Sequence, residues 1–176
     1  ERDLGLPFRS VSTTVITSPP GAHAEPHLDS YPQFTVQLRG SKRWRIGPEL
    51  APYALHSFVL GGDEARAREF HDGELPLDLP PGSLELAVTP GDVLYVPSGV
   101  LHAVESCDHA VSIAFDLVPP RWSEIVVRML KARLNRDPAW QSFVLGTGAG
   151  SQAAVRATMA GMLAELPRHV ASVTDD

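Results

Sequence analysis

The chain has 176 residues, enough for one well-buried domain and too few for two comfortable ones. Hydrophobic residues make up 43%, charged residues 20%, and the formal net charge is −6, which excludes a disordered chain and argues against a general nucleic-acid binder. Cys107 is the only cysteine, so no internal disulfide can form. With no secretory signal and no apolar run long enough for a membrane span, a reducing, cytoplasmic setting is expected.

Residues 10–17 are rich in β-branched side chains and predict a strand, closed by the turn Ser18-Pro19-Pro20-Gly21. The stretch Ala22-His23-Ala24-Glu25-Pro26-His27-Leu28-Asp29 follows. Residues 33–39 alternate polar and apolar, with Phe34, Val36 and Leu38 on one face, and Gly40-Ser41 makes a hairpin-like turn. Residues 42–46 alternate again, with Lys42, Trp44 and Ile46 on one side and Arg43 and Arg45 on the other. A lysine sharing its face with a tryptophan and an isoleucine points inward, and an inward lysine needs an anion.

Residues 47–83 hold many prolines, glycines and charges and read as loops with short strands, of the kind that cover a substrate. Strands are expected over 83–89, 93–96, 100–105 and 110–118, separated by Pro90-Gly91-Asp92, Pro97-Ser98-Gly99 and a short turn. Asp92 reads as a turn residue. From Arg121 the period changes: Ile125, Val126, Met129, Leu130 and Leu134 recur at helical spacing, with Ser123 as the expected N-cap. Gly146-Thr147-Gly148-Ala149-Gly150 is expected to be a flexible joint before a second helix over 152–166. There Met159, Met162 and Leu163 form a stripe suited to covering the barrel or to a homodimer interface. Many short strands followed by helices predict a mainly β chain. It would have a jelly-roll barrel over residues 1–118 and a C-terminal helical extension over 119–176.

The chemistry is concentrated in His27-Leu28-Asp29. Side chains two apart on a strand share a face, so an imidazole and a carboxylate stand together. His102, held by the two turns before it, is the natural third ligand. Two histidines and one carboxylate leave positions open on iron(II), where dioxygen and a substrate can bind. A competing His-x-carboxylate lies in His23-Ala24-Glu25, but Pro26 interrupts the strand between the two pairs.

Pro-His-x-Asp with Phe34, Gln37, Gly40 and Lys42-Arg43-Trp44, then Pro90-Gly91-Asp92-Val93-Leu94-Tyr95-Val96-Pro97 and His102-Ala-Val, resembles the JmjC/cupin-type 2-oxoglutarate oxygenases. The likeness is to the branch that includes the ribosomal-protein hydroxylases. It implies a double-stranded β-helix with Fe(II) held by His27, Asp29 and His102, and Lys42 pairing with the distal carboxylate of 2-oxoglutarate. Thr14 and Ser112 match positions that help bind the same cosubstrate. The implied reaction is hydroxylation of a C–H bond on a protein, peptide or small molecule, with release of succinate and CO2.

The chain departs from the pattern in places. Pro32-Gln33 stands where the family commonly has an acidic residue. Its larger members carry a winged helix, which is not expected in the residues after the barrel. Cys107 is expected to be a small buried hydrophobe, and His56, His71, His109 and His169 to be surface groups. Two other readings remain: a metal cupin acting on a small molecule without 2-oxoglutarate, and a non-catalytic binding module. Lys42 discriminates, because pairing with Asp or Glu, or exposure, would favour them.

Overall fold

Alternating side chains and Pro/Gly punctuation produce nine strands among the residues described by the computed structural model, which are 2–62, 68–69, 71, 73–144 and 152–173. They are β1 (Val11–Ser18), β2 (His23–Leu28), β3 (Gln33–Arg39), β4 (Lys42–Glu49), β5 (Phe58–Val59), β6 (Leu84–Val88), β7 (Val93–Val96), β8 (Val100–Ser106) and β9 (Ala110–Leu117). Two helices follow, α1 (Trp122–Leu134) and α2 (Gln152–Ala171). The Gly146–Gly150 joint lies outside the described residues.

The strands form two antiparallel sheets, a four-stranded one ordered β1-β9-β3-β7 and a five-stranded one ordered β5-β2-β8-β4-β6. This is the expected jelly roll, a double-stranded β-helix. The Gly40-Ser41 turn does not make a hairpin. It carries the chain from β3 in one sheet to β4 in the other. Asp108 closes that turn by accepting from the Ser41 N–H at 2.8 Å and the Ser41 hydroxyl at 3.1 Å.

On the inward face of the four-stranded sheet β3 is polar, with Gln33, Thr35 and Gln37 buried beside Ser112 of β9, while Leu38, Val93 and Tyr95 are exposed on the outer side. The apolar core has separate clusters. Leu28, Leu101 and Ala103, on the outer side of the five-stranded sheet, pack with Ala51, Ala54, Phe58 and Leu79. Trp44, Val88, Val96 and Val100 form a further cluster. The described part of residues 47–83 therefore buries the back of the site sheet, and none of it borders the cavity described below.

Residues Glu1–Pro119 form one unit and Pro120–Asp176 a second. In the second, the expected Ser123 cap is replaced: Arg121 is the N-cap, and the Glu124 carboxylate accepts from its backbone N–H at 2.9 Å. Glutamate one turn in reaches back, as in a capping box. α2 runs on through Pro167 to Ala171, five residues beyond its expected end at 166. Its Met159, Met162 and Leu163 line an apolar cavity of 470 Å³ with Trp140 and Phe143. His169, expected at the surface, is buried beside Asp137, with Trp140 edge-on to its ring.

Candidate metal centre and its cavity

β2 and β8 lie side by side with His27 opposite His102, so the two imidazoles meet with centroids 4.1 Å apart. The register runs His23↔Glu105, Ala24↔Val104, then His27↔His102. Three steps along β2 match two along β8, which is a one-residue bulge at Glu25-Pro26. Proline has no N–H to give the ladder, so the irregularity falls where it does least harm. The bulge separates the two His-x-carboxylate pairs. Glu25 turns to the sheet's outer side near Arg43 and Arg45 and pairs at 3.0 Å with exposed His23, which also borders the site cavity.

His27 and Asp29 stay on the inner side. With His102 they offer three ligand atoms all within 4.8 Å of one another. The histidine tautomers are set by the backbone. Nδ1 of His27 lies 2.7 Å from the Glu25 carbonyl, and Nδ1 of His102 lies 2.9 Å from the Val100 carbonyl. A carbonyl oxygen can only accept, so both Nδ1 atoms carry a proton, and in the neutral rings both Nε2 atoms present a lone pair. Nε2 of His102 is 3.6 Å from Oδ2 of Asp29. Burial, then the neighbouring His27, lowers the pKa of His102 against the Val100 carbonyl and Asp29, favouring the neutral form that binds metals. Trp44 stacks on the His102 ring at 5.7 Å and holds its plane.

The cluster opens into a cavity of 410 Å³ between the two sheets. Lys42 and Ser112 border it, with Lys42 Nζ donating to Ser112 Oγ at 2.8 Å. Lys42 is 4% exposed and Ser112 0%, and no carboxylate pairs with Lys42 among the described residues. Burial alone lowers the Lys42 pKa. An ammonium out of water, with a hydroxyl for company, is a group that an anion would stabilise. Thr14 borders the same cavity from an exposed position on β1, in register with Ala114.

Several lining residues were not read as site residues from sequence. Gln33 donates its side-chain amide to Asp29 Oδ2 at 2.6 Å. Tyr31 and Asp116 border the cavity too, and burial, with Asp29 close by, raises the pKa of both. The available signal was parity, since Gln33, Thr35 and Gln37 are the polar face of β3. Cys107, by contrast, is exposed in the turn after β8 rather than buried. Asp92 accepts from the backbone and hydroxyl of Thr89 and is a turn residue, as expected.

A jelly roll with this cluster between its sheets is the architecture of a metal-binding cupin-like domain. A family model described as the JmjC domain matches residues 6–125, and the chain belongs to that family. It is 28% identical to the ribosomal protein uL16 3-hydroxylase of Escherichia coli (strain K12) over 120 residues, 68% of this chain and 29% of that protein. Ribosomal oxygenase 1 of Gallus gallus is 31% identical over 123 residues, 67% of this chain and 19% of that protein. Among solved structures, E. coli ycfD superposes with a TM-score of 0.56 at 21% identity, covering 98% of this chain and 45% of that one. The E. coli ribosomal oxygenase YcfD in complex with cobalt and 2-oxoglutarate gives 0.51 at 21%, covering 93% and 41%. These likenesses show the fold, and the chain spans less than half the length of these relatives. No described helix is long and apolar enough to cross a membrane.

Proposed function

We propose that the chain is an Fe(II)- and 2-oxoglutarate-dependent oxygenase that hydroxylates a C–H bond of a protein substrate. One observation carries the reading: a two-histidine, one-carboxylate cluster shares its cavity with a buried lysine whose described partner is a hydroxyl. The donor set suits ferrous iron, and both Nε2 lone pairs are free for it. Loaded with iron(II), 2-oxoglutarate and dioxygen, the site would supply an oxidation that yields succinate and CO2 beside the hydroxylated product.

The chain's own part is binding and orientation. His27, Asp29 and His102 would hold the ion. Lys42 binds the distal carboxylate of the cosubstrate, with the Ser112 hydroxyl beside it and Thr14 at the rim. A carboxylate there relieves the desolvation of the ammonium, so affinity and charge balance come from the same contact. Trp44 and Val104 line the wall and keep water from the reacting atoms. The relatives named as ribosomal oxygenases and a ribosomal protein hydroxylase support a protein substrate, with ribosomal proteins the first to test, and hence a cytoplasmic setting. A cupin working without 2-oxoglutarate has less support, since Lys42 is buried and, among the described residues, pairs with no Asp or Glu.

The test is anaerobic titration with Fe(II) and 2-oxoglutarate, then succinate measurement on admitting oxygen. Wild type should release succinate, Asp29→Ala should lose iron, and Lys42→Ala should keep iron and lose 2-oxoglutarate affinity. Iron binding by the wild type with no response to 2-oxoglutarate would overturn the reading. Incubation with ribosomal proteins and a search by mass spectrometry for a gain of one oxygen atom then identifies the target.

A further inference from the structure

We infer that Gln33 is a positioning residue of the metal centre: its side-chain amide holds the Asp29 carboxylate in the orientation that binds the ion. This rests on the metal-site reading above and adds a residue to it. Asp29 follows the last residue of β2, and its backbone is tied down where its side chain is not. The Asp29 carbonyl accepts from the Gly99 N–H at 2.8 Å and the Ser98 hydroxyl at 3.4 Å. Neither contact fixes the rotation of the carboxylate, whose terminal torsion is broad. Gln33 Nε2, 2.6 Å from Oδ2, is the described side-chain group that does.

The amide is itself oriented. The Asp29 carboxylate can only accept, so it selects the Nε2 end, and Thr35 Oγ1 donates to Gln33 Oε1 at 3.3 Å and steadies the other end. The reverse orientation would face a carbonyl oxygen to a carboxylate oxygen and lose the bond to Asp29. Gln33, Thr35 and Asp29 are 8%, 2% and 9% exposed, so water is a poor substitute for any member of the relay. The relay also comes from the opposite sheet. β3 belongs to the four-stranded sheet, while the three candidate ligands lie on or beside strands of the five-stranded one. Outer groups that orient a ligating carboxylate commonly govern metal affinity by 10–100-fold.

The experiment uses Co(II) with the full chain, measuring affinity by calorimetry and the visible cobalt bands by absorption. Gln33→Leu should weaken Co(II) binding by roughly tenfold or more, and Thr35→Val by about two- to threefold. Both should alter the intensity of the cobalt bands, which a merely space-filling role would leave alone. Metal-free melting curves confirm that each variant is folded. A folded Gln33→Leu with wild-type affinity and bands overturns the inference. If Gln33→Leu does not fold, an unchanged Thr35→Val does so. A wild type that binds no cobalt takes down the metal-site reading along with it, whereas normal wild-type binding with indifferent variants takes down this inference alone.

Discussion

A buried cation with a hydroxyl partner has opposite consequences for stability and for binding, and Lys42 exposes both. Its ordinary pKa is 10.5, and burial lowers the folded-state value. Below the folded value both states hold the proton, and the folded state bears the whole desolvation penalty. As pH climbs from there to 10.5, the folded state releases its proton first and the penalty fades. Lys42→Met should therefore raise the melting temperature of the ligand-free protein at neutral pH, by roughly 2–4 °C for about 1 kcal/mol. The gain should shrink as pH approaches 10.5, while stabilisation by 2-oxoglutarate disappears. Thermal melts across pH, with and without the diacid, check it; a variant less stable than wild type at neutral pH refutes it. His102 gives the acid-side counterpart. Its pKa is held below the ordinary 6.5, so ligand-free stability is complete above 6.5 and declines as pH falls through the lowered value. Denaturant titrations at descending pH should show that loss, and His102→Gln should flatten it.

At the scale of elements, the site depends on turns more than on strands. Gly99 has φ +74°, donates to the Asp29 carbonyl at 2.8 Å and accepts from the Leu50 N–H at 2.9 Å. A Cβ there would lie 1.9 Å from the Ala51 carbonyl oxygen, a backbone atom with nowhere to go. Gly99→Ala should lose about 2 kcal/mol or more in denaturant unfolding and weaken Co(II) binding, because the same turn anchors Asp29. Gly82→Ala, with a similar φ of +86° but nothing within 4 Å, should lose only the conformational part, about 1 kcal/mol, and keep its metal affinity. Equal losses in the two variants would mean that the contact with Ala51 is unimportant. The turn was legible in Pro97-Ser98-Gly99, and so were the strands. What alternation could not give was which face of β3 turns inward. A two-residue period marks Phe34, Val36 and Leu38 as one face, yet the polar face of Gln33, Thr35 and Gln37 is the inner one, because the space it meets is a cavity. Nor could local pattern show that Gly40-Ser41 changes sheets, since a turn's residues do not record which strand the next one pairs with. The bulge at Glu25-Pro26 was half legible: Pro26 marked a break, and the pairing with β8 located the extra residue.

For the whole molecule, the informative property is that the cavity is closed by groups from both sheets. Lys42 on the five-stranded sheet reaches Ser112 on the four-stranded one at 2.8 Å, and Gln33 reaches back to Asp29 at 2.6 Å. On the proposed reading a metal ion would be held by His27, Asp29 and His102, and a diacid held by Lys42 and Ser112 would lie between the two sheets. The two ligands should then bind as a coupled pair, because the ion supplies the second anchor without which the diacid holds by one end. Each ligand stabilises by mass action, by about 2.7 kcal/mol at 100 times its dissociation constant, or on the order of 5–10 °C for a chain of this size. Given separately, Co(II) should raise the melting temperature and 2-oxoglutarate should do little. Given together, they should exceed the sum of the separate shifts. Linkage requires the converse as well, so a saturating level of 2-oxoglutarate should tighten Co(II) binding by the same factor that Co(II) tightens 2-oxoglutarate. Strictly additive shifts, or a diacid effect that survives removal of the metal by a chelator, would mean that the diacid binds away from the ion and that Lys42 serves some other anion.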